Sequence, residues 1–294
     1  MENVVAKMKV GLLDPQAPLF QLLMNNPPTW WEELKEDSDL YIDVRKNNKI
    51  MIYYQGGRVA CLTYDQDTSK LSATTHPKYL GHADKSNDKY YEAGSERPIY
   101  QDIESEICPQ LIKSIKSNIE EYYSKKDSSK KSEEDIQEKL IQGKRVIECL
   151  GLSHLDSEFA HRQYEGKTNM IRIDLVHIEN HEIVFEELKK VTDPRLRTLD
   201  ENPEILTQMN SYEEFVTENV DALLEYYKTL LIIKERLGLP VPIIEDTDLL
   251  KIRTKPRLII YNTYTKMTPA REVRIRDIER LLDGHDKEIV PYKK

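Results

Sequence analysis

The chain has 294 residues, which is ample length for a hydrophobic core. Charged residues make up 32% of the sequence and the formal net charge is -9, which predicts a soluble protein and excludes nucleic-acid binding by a basic overall surface. No apolar run approaches the roughly 20 residues of a membrane span, and the N-terminal sequence lacks the apolar centre of a secretory signal. Because the three cysteines are scattered and form no CxxC pair, we expect a reducing, cytoplasmic location.

The N-terminal part of the sequence is rich in strand signals. Residues 39–65 contain three β-prone runs separated by the turn-forming sequences KNNK and QGG, which predict a three-stranded antiparallel meander. Apolar residues then recur at helical spacing from Ile103 to Ile115, which predicts a long helix. The sequence KKDSSKKSEED, residues 125–135, is poor in apolar residues and is the best candidate for a linker.

The second half of the sequence mixes helical and strand patterns. After a helical pattern that ends near residue 150, Asp156 in DSEFAHRQYEG is an N-cap signal that predicts a short helix or turn. The segment IRIDLVHIENHEIVFEELKKV, residues 171–191, has two apolar runs around a polar tip and predicts a β-hairpin. A long amphipathic helical region over 202–238, a strand over 256–264 and a final helix in AREVRIRDIERLLDG follow.

This order of patterns predicts an α/β fold with a mixed sheet. We expect a β-rich N-terminal accessory domain over residues 1–102 and a helical connector, containing the linker, over 103–145. The mixed sheet with its flanking helices is expected in residues 146–294.

The predicted hairpin carries charges where β-branched and aromatic residues indicate burial. Asp174 lies within its first arm, and Glu186, Glu187 and Lys189 lie in its second. Because side chains alternate along a strand, Glu187 and Lys189 share one face, whereas Glu186 and Leu188 share the other. If the arms pair around the polar tip, Asp174 comes near Glu187, and two carboxylates and an ammonium group then share one sheet edge.

Such a group of side chains suits a divalent metal ion. Carboxylate oxygens with partial water coordination are what Mg²⁺ takes in proteins, usually beside a substrate phosphate. A neighbouring lysine can position a water molecule and favour its deprotonation for in-line attack on a phosphodiester. The motif alone means little, since EELK occurs both at 32–35 and at 186–189. For the charges alone we favour the alternative explanation, an edge strand with solvated or mutually paired side chains.

Two further features change this preference. Glu158 precedes the hairpin in the predicted short helix, and Gln208 and Tyr212 begin the long helix after it, on one helical face. The order of these residues resembles that of the PD-(D/E)XK, or restriction-endonuclease-like, nuclease superfamily, in its branch with a RecB-type or Cas4-type QxxxY motif. The resemblance covers about residues 146–264, and nothing before residue 146 matches a nuclease core.

The resemblance implies a core of helix, β-hairpin, strand, helix and strand that carries a metal site. Asp174 and Glu187 would bind Mg²⁺ or Mn²⁺, joined by the backbone carbonyl of Leu188. Glu158 would be the acidic residue of the first helix, a catalytic-site residue and auxiliary metal ligand, although Asp156 and Glu165 compete for that role.

The same resemblance implies roles for three more side chains. Lys189 would activate the attacking water, while Gln208 and Tyr212 would orient the site or touch the substrate. One departure is that Ile173 stands where the superfamily commonly has proline.

The sequence therefore predicts a metal-dependent nuclease that hydrolyses DNA phosphodiester bonds, with a homodimer left open. The alternative, which is not an enzyme, is a nucleic-acid-binding or protein-binding module that keeps the nuclease-like fold. A third possibility is an α/β interaction domain in which the motif match is accidental.

Other features of the sequence receive simpler explanations. His177 and His181 follow no zinc spacing, and we expect them at a surface turn. Residues 251–280 contain nine basic residues against three acidic ones, which suits either phosphate contacts or an exposed helix face with internal ion pairs. Trp30 and Trp31 could stack on bases, but we expect the aromatic residues of this region in the core.

Overall fold

A computed structural model of the protein describes residues 13–81, 91–92, 97–124, 136–137, 140–141, 154–162, 170–196, 203–244, 246–264 and 266–290. The expected mixed α/β class is confirmed, with two sheets and six α-helices in these residues. The chain divides into two compact units. Among the described residues, the N-terminal unit lies within Gly11–Lys130 and Thr229–Pro240, and the C-terminal unit lies within Lys131–Lys228 and Val241–Lys294.

The N-terminal unit contains an antiparallel sheet whose strands follow one another in chain order. Its strands are β1 (Tyr41–Arg45), β2 (Lys49–Tyr54), β3 (Gly57–Asp65), β4 (Lys70–Thr75) and β5 (Gln101–Asp102). The predicted meander of β1 to β3 is present and is extended by β4 and β5. Asn47 and Asn48, with φ of 62° and 54°, form the turn between β1 and β2, because asparagine tolerates positive φ better than most residues.

The helices of this unit are α1 (Pro18–Asn25), α2 (Thr29–Glu36) and α3 (Pro109–Ser124). The helix predicted from Ile103 begins later, at Pro109, since proline fits the first turn of a helix but not its interior. Trp30 and Trp31 on α2 are buried, as expected for core aromatic residues. The linker proposed over residues 125–135 lies outside the described residues.

The C-terminal unit contains a mixed sheet with the strand order β11, β10, β8, β7, β6 and with β9 beside β8. The strands are β6 (His154–Arg162), β7 (Met170–Glu179), β8 (Glu182–Lys190), β9 (Lys251–Ile252), β10 (Arg257–Tyr261) and β11 (Lys287–Val290). Strands β6, β7 and β8 are antiparallel neighbours, whereas β10 runs parallel to both β8 and β11.

Two of the described helices lie wholly in this unit, α4 (Glu204–Glu218) and α6 (Pro269–Leu281), whereas α5 (Val220–Arg236) begins in it and belongs to the N-terminal unit from Thr229 onwards. Within the described residues, no helix is long and apolar enough to cross a membrane. The two helices α4 and α6 contribute to a buried core with β10 and the residues after β8, formed by Val191, Leu196, Ile205, Met209, Leu258, Ile260, Ile278 and Leu282.

One prediction about this unit is wrong. The short helix predicted from Asp156 is strand β6, because pairing with β7 outweighs a local N-cap signal. The helical region predicted over 202–238 is present, but it is divided into α4 and α5 at Asn219, whose side-chain amide donates a hydrogen bond to the Phe215 carbonyl at 2.7 Å. Asparagine bonds readily to nearby backbone and thus favours helix ends over helix interiors.

Candidate functional site

The seven residues selected from the sequence line one cavity of about 300 Å³ in the C-terminal unit. They are Glu158, Asp174, Glu187, Leu188, Lys189, Gln208 and Tyr212, and they are joined there by Gln137, Arg172 and Arg195. The cavity therefore collects side chains from three strands and from helix α4.

Strand pairing brings Asp174 to Glu187. Leu175 pairs with Glu186 in the antiparallel hairpin of β7 and β8, so Asp174 lies one step further along, at the level of Glu187. The Leu188 amide donates a 2.8 Å hydrogen bond to Asp174 Oδ2, which fixes the carboxylate against β8. The predicted approach of the two acids is thus present.

Strand β8 is an interior strand of the sheet. It lies between β7 and β10, and Leu258 on β10 is paired with Glu187. Glu187 and Lys189 are each only 3% exposed. The alternative explanation is therefore wrong about an edge strand and solvated charges, but the mutual pairing that it also allowed is present between Glu187 and Lys189.

Glu187 has two oxygens in different surroundings. Its Oε1 accepts hydrogen bonds from Lys189 Nζ and, at 2.7 Å, from Gln208 Nε2. Its Oε2 is buried and has no hydrogen-bond partner among the described residues. Burial raises the pKa of Glu187, and the neighbouring Lys189 charge opposes that rise. A buried acceptor without a donor is unfavourable, which is one reason to consider a cation here.

Asp174 is held in a setting that disfavours its charged form. Burial, followed by repulsion from Glu187, raises its pKa to about 7, and the Leu188 amide and Lys189 oppose this rise. A carboxyl group that titrates near neutrality can bind either a proton or a cation under ordinary conditions.

Lys189 contacts two of the predicted metal ligands, the Glu187 carboxylate and the Leu188 carbonyl. Its ammonium group forms an ion pair with Glu187 and donates a 3.0 Å hydrogen bond to the Leu188 carbonyl. The lysine is thus close enough to act on anything that those oxygens bind.

Glu158 lies on β6 and not on a helix, which corrects the sequence-based expectation. Ser157 pairs with Leu175 and Phe159 pairs with Ile173, so Glu158 is at the level of Asp174 on the neighbouring strand. This third acid therefore comes from the strand next to the hairpin.

Both carboxylate oxygens of Glu158 are engaged. Arg172 donates two hydrogen bonds to Oε2, one of them from Nε at 2.8 Å, and Gln137 Nε2 donates to Oε1 at 3.1 Å. Of its competitors, Asp156 is buried and accepts a hydrogen bond from the Ser157 amide, and Glu165 lies outside the described residues.

Gln208 and Tyr212 lie one turn apart on α4, as predicted. Gln208 Nε2 donates to the Tyr212 hydroxyl at 2.8 Å as well as to Glu187. The Tyr212 hydroxyl in turn donates to the backbone carbonyl of Arg172, and burial raises its pKa. This chain of hydrogen bonds joins α4 to both strands of the hairpin and supports Glu187.

Sequence reasoning missed three residues of the cavity. Arg172 precedes Asp174 by two positions, and strand alternation alone could have identified it. Gln137 is one of the helical residues that the structure describes before β6, and it donates a 2.7 Å hydrogen bond to the Asp174 carbonyl. Arg195, just after β8, is paired with the Asp193 carboxylate at 2.8 Å. Neither Gln137 nor Arg195 has a local sequence signal.

The residues present fit a divalent cation. In the described ranges, no group of three or more His, Cys, Asp or Glu side chains is arranged to hold an ion. Asp174, Glu187 and the Leu188 carbonyl nevertheless supply hard oxygen donors, and Glu187 Oε2 is buried without a partner. Mg²⁺ commonly binds one or two carboxylates and completes its coordination with water and substrate phosphate. The donor set therefore suits a cation that shares its ligands with a substrate.

The other charged residues of the hairpin lie away from this cavity. Glu186 is fully buried, 3.3 Å from His177 Nδ1 and 3.6 Å from Arg257. The expectation that His177 lies at a surface turn is wrong, because it is a buried residue of β7. Within residues 251–280, Arg253 and Arg257 form ion pairs with acidic residues, which reduces the local excess of positive charge.

No protein-family model, curated protein or solved structure matches the chain.

Proposed function

We propose that the protein is a metal-dependent nuclease of the PD-(D/E)XK type that hydrolyses phosphodiester bonds in DNA. The observation that supports this most strongly is the meeting of Asp174, Glu187 and Lys189 with Gln208 and Tyr212 in one cavity. These residues come from two strands and a helix, and they occur in the chain order that the resemblance implies. Their convergence in one cavity favours a functional explanation over an accidental motif.

The arrangement of elements also supports the proposal. The antiparallel pair β6 and β7 is followed by β8, then by α4 and later by β10, which lies parallel to β8. This agrees with the order of β-hairpin, strand, helix and strand that the resemblance implies. The departure is Glu158, which lies on strand β6 where the superfamily places its acidic residue on a helix.

The chemistry follows from the residues at the cavity. Asp174, Glu187 and the Leu188 carbonyl would hold Mg²⁺ or Mn²⁺. When bound, such an ion stabilises negative charge on a phosphoryl group and lowers the pKa of a water molecule. In the reaction, the water oxygen forms a bond to phosphorus, one phosphorus–oxygen ester bond breaks, and the proton lost by water ends on the leaving oxygen.

Lys189 would direct this attack. Its buried ammonium group is anchored on Glu187 and the Leu188 carbonyl, and it retains a further donor for a water molecule or a phosphoryl oxygen. Gln208 and Tyr212 would keep Glu187 in place through their shared hydrogen bonds.

The test is a cleavage assay with a matched pair of lysine variants. Supercoiled plasmid, linear duplex and single-stranded DNA are incubated with the protein in Mg²⁺, Mn²⁺ or EDTA. We expect cleavage that requires the divalent ion, is lost in Lys189→Ala and persists in Lys190→Ala. Lys190 is the adequate control because it is the neighbouring residue of the same type and does not line the cavity. Equal cleavage by both variants would sink the mechanism.

One observation favours the second candidate, a binding module without turnover. Lys189 already neutralises Glu187, and Arg172 and Gln137 engage both oxygens of Glu158. A site whose acids are satisfied internally could retain the fold and bind nucleic acid without hydrolysing it. DNA binding without cleavage, across both metals and all three substrates, would establish this candidate in place of the first.

A further inference from the structure

The ion pair between Arg172 and Glu158 has no role in the proposed reaction, yet it borders the site. Arg172 is 61% exposed and Glu158 is 28% exposed, so solvent reaches the pair. Exposed ion pairs contribute little to stability, so breaking this one costs little free energy. The pair is therefore a contact that an incoming anion can replace.

Glu158 is held close to the other two acids in an unusual conformation. Its φ is 51°, a left-handed value that few residues other than glycine adopt, and it lies at the level of Asp174 on the adjacent strand. Residues in such conformations concentrate at ligand sites and switch regions. The backbone thus places this carboxylate at the cavity wall, where Arg172 and Gln137 hold it.

A second observation also points to a ligand beside Glu158. Glu187 is 3% exposed, and its Oε2 has no hydrogen-bond partner among the described residues. The cavity therefore contains one buried carboxylate oxygen without a donor and one carboxylate that a surface arginine occupies. A third acid that joined Glu187 and Asp174 would add a third carboxylate to the oxygen donors of the site.

We propose that Arg172 is a phosphate sensor that releases Glu158 when substrate enters the cavity. A guanidinium group binds phosphate and carboxylate through the same fork of N–H donors, so the two anions compete for it. A phosphodiester that takes Arg172 leaves Glu158 free to turn toward Asp174 and Glu187. The inference rests on the proposed function, because it assumes that these two acids bind a divalent cation.

The consequence is that metal and substrate bind cooperatively. Without a phosphodiester, Asp174 and Glu187 would bind the cation weakly, and with it Glu158 would add a third carboxylate. Coupling of this kind is reciprocal, so the cation must strengthen substrate binding by the same factor. The site would then hold its cation tightly only while substrate is present.

The first experiment measures Mn²⁺ affinity by isothermal titration, without nucleic acid, in a double-mutant cycle. We expect Arg172→Gln to tighten Mn²⁺ binding about tenfold when Glu158 is present, since changes of partners to metal ligands commonly alter affinity by this amount or more. In the Glu158→Gln background, the same substitution should tighten binding by less than about threefold, because only the arginine charge is then removed. Equal effects in the two backgrounds would overturn the release of Glu158.

The second experiment tests whether phosphate is the trigger. The ligand is a short oligodeoxynucleotide with cleavage-resistant phosphorothioate linkages, added at a saturating concentration. In its presence, Glu158→Gln should weaken Mn²⁺ binding about tenfold. Without the oligonucleotide, the same substitution should weaken Mn²⁺ binding less than about twofold. An effect of Glu158→Gln that is the same with and without the oligonucleotide would overturn the inference. Circular dichroism of each variant verifies that it is folded.

A third variant separates this inference from the proposed function. Asp174→Asn should abolish Mn²⁺ binding whatever Arg172 does. If Mn²⁺ binding survives in Asp174→Asn, the metal site itself is wrong and the proposed function falls with it. If binding requires Asp174 but the cycle is additive, only the role of Arg172 is overturned.

Discussion

Removing the charge of Lys189 should destabilise the C-terminal unit in a way that depends on Glu187. Both residues are 3% exposed, so the substitution Lys189→Met leaves a buried carboxylate without its ammonium partner. Breaking a buried ion pair in this way typically costs about 3–5 kcal/mol. We expect the lower end, about 3 kcal/mol at pH 7, because Gln208 still donates to Glu187 Oε1.

The destabilisation should grow with pH. Burial already raises the pKa of Glu187, and losing the lysine raises it further. A carboxyl group whose pKa is higher in the folded state than in the unfolded state stabilises the fold at low pH, and that stabilisation is lost as pH rises through the folded-state pKa. The free energy of unfolding of Lys189→Met should therefore be close to that of the wild type at pH 5. It should fall furthest below the wild-type value at pH 8.

The measurement is urea unfolding in EDTA, followed by far-ultraviolet circular dichroism. Trp30 and Trp31 both lie in the N-terminal unit, so tryptophan fluorescence reports that unit separately. Lys190→Met is the matched control and should lie within about 0.5 kcal/mol of wild type. The double variant Glu187→Gln, Lys189→Met should recover most of the loss. A pH-independent loss, or no recovery in the double variant, would refute the explanation by an uncompensated buried charge.

Three further outcomes are expected. Since the pKa of Asp174 is raised to about 7, Mg²⁺ should increase the melting temperature more at pH 8 than at pH 5.5 in differential scanning fluorimetry, and Asp174→Asn should remove this dependence. Tyr212→Phe should cost about 1–2 kcal/mol in urea unfolding, because its hydroxyl joins α4 to the backbone of Arg172. Gly57→Ala should cost about 1–3 kcal/mol, since its Cβ would lie 2.7 Å from Ile119 Cγ2, and an unchanged stability would show that Ile119 moves aside.

Much of the candidate site could be predicted from local rules. Strand alternation places Glu187 and Lys189 on the same face of any strand that contains them, and a helix places Gln208 and Tyr212 one turn apart. These relations follow from backbone geometry over a few residues. The hairpin, its polar tip and the approach of Asp174 to Glu187 were accessible for the same reason.

Other parts of the site depend on contacts that are distant in sequence. The N-cap signal at Asp156 predicted a helix, but antiparallel pairing with β7 makes this segment a strand and changes the position of Glu158. Gln137 and Arg195 reach the cavity from segments before and after the hairpin, and nothing in their local sequence marks them. Only the tertiary packing of these segments against the hairpin places the two side chains at the cavity.

The sequence by itself determined which charged side chains share a face of β8. Only the tertiary structure decided that these charges are buried, because β8 is enclosed by β7 on one side and by β10 on the other. Strand β10 follows β8 in the chain only after α4 and α5, and no local pattern specifies that pairing. The alternation of side chains is a property of each strand, whereas burial is a property of its neighbours.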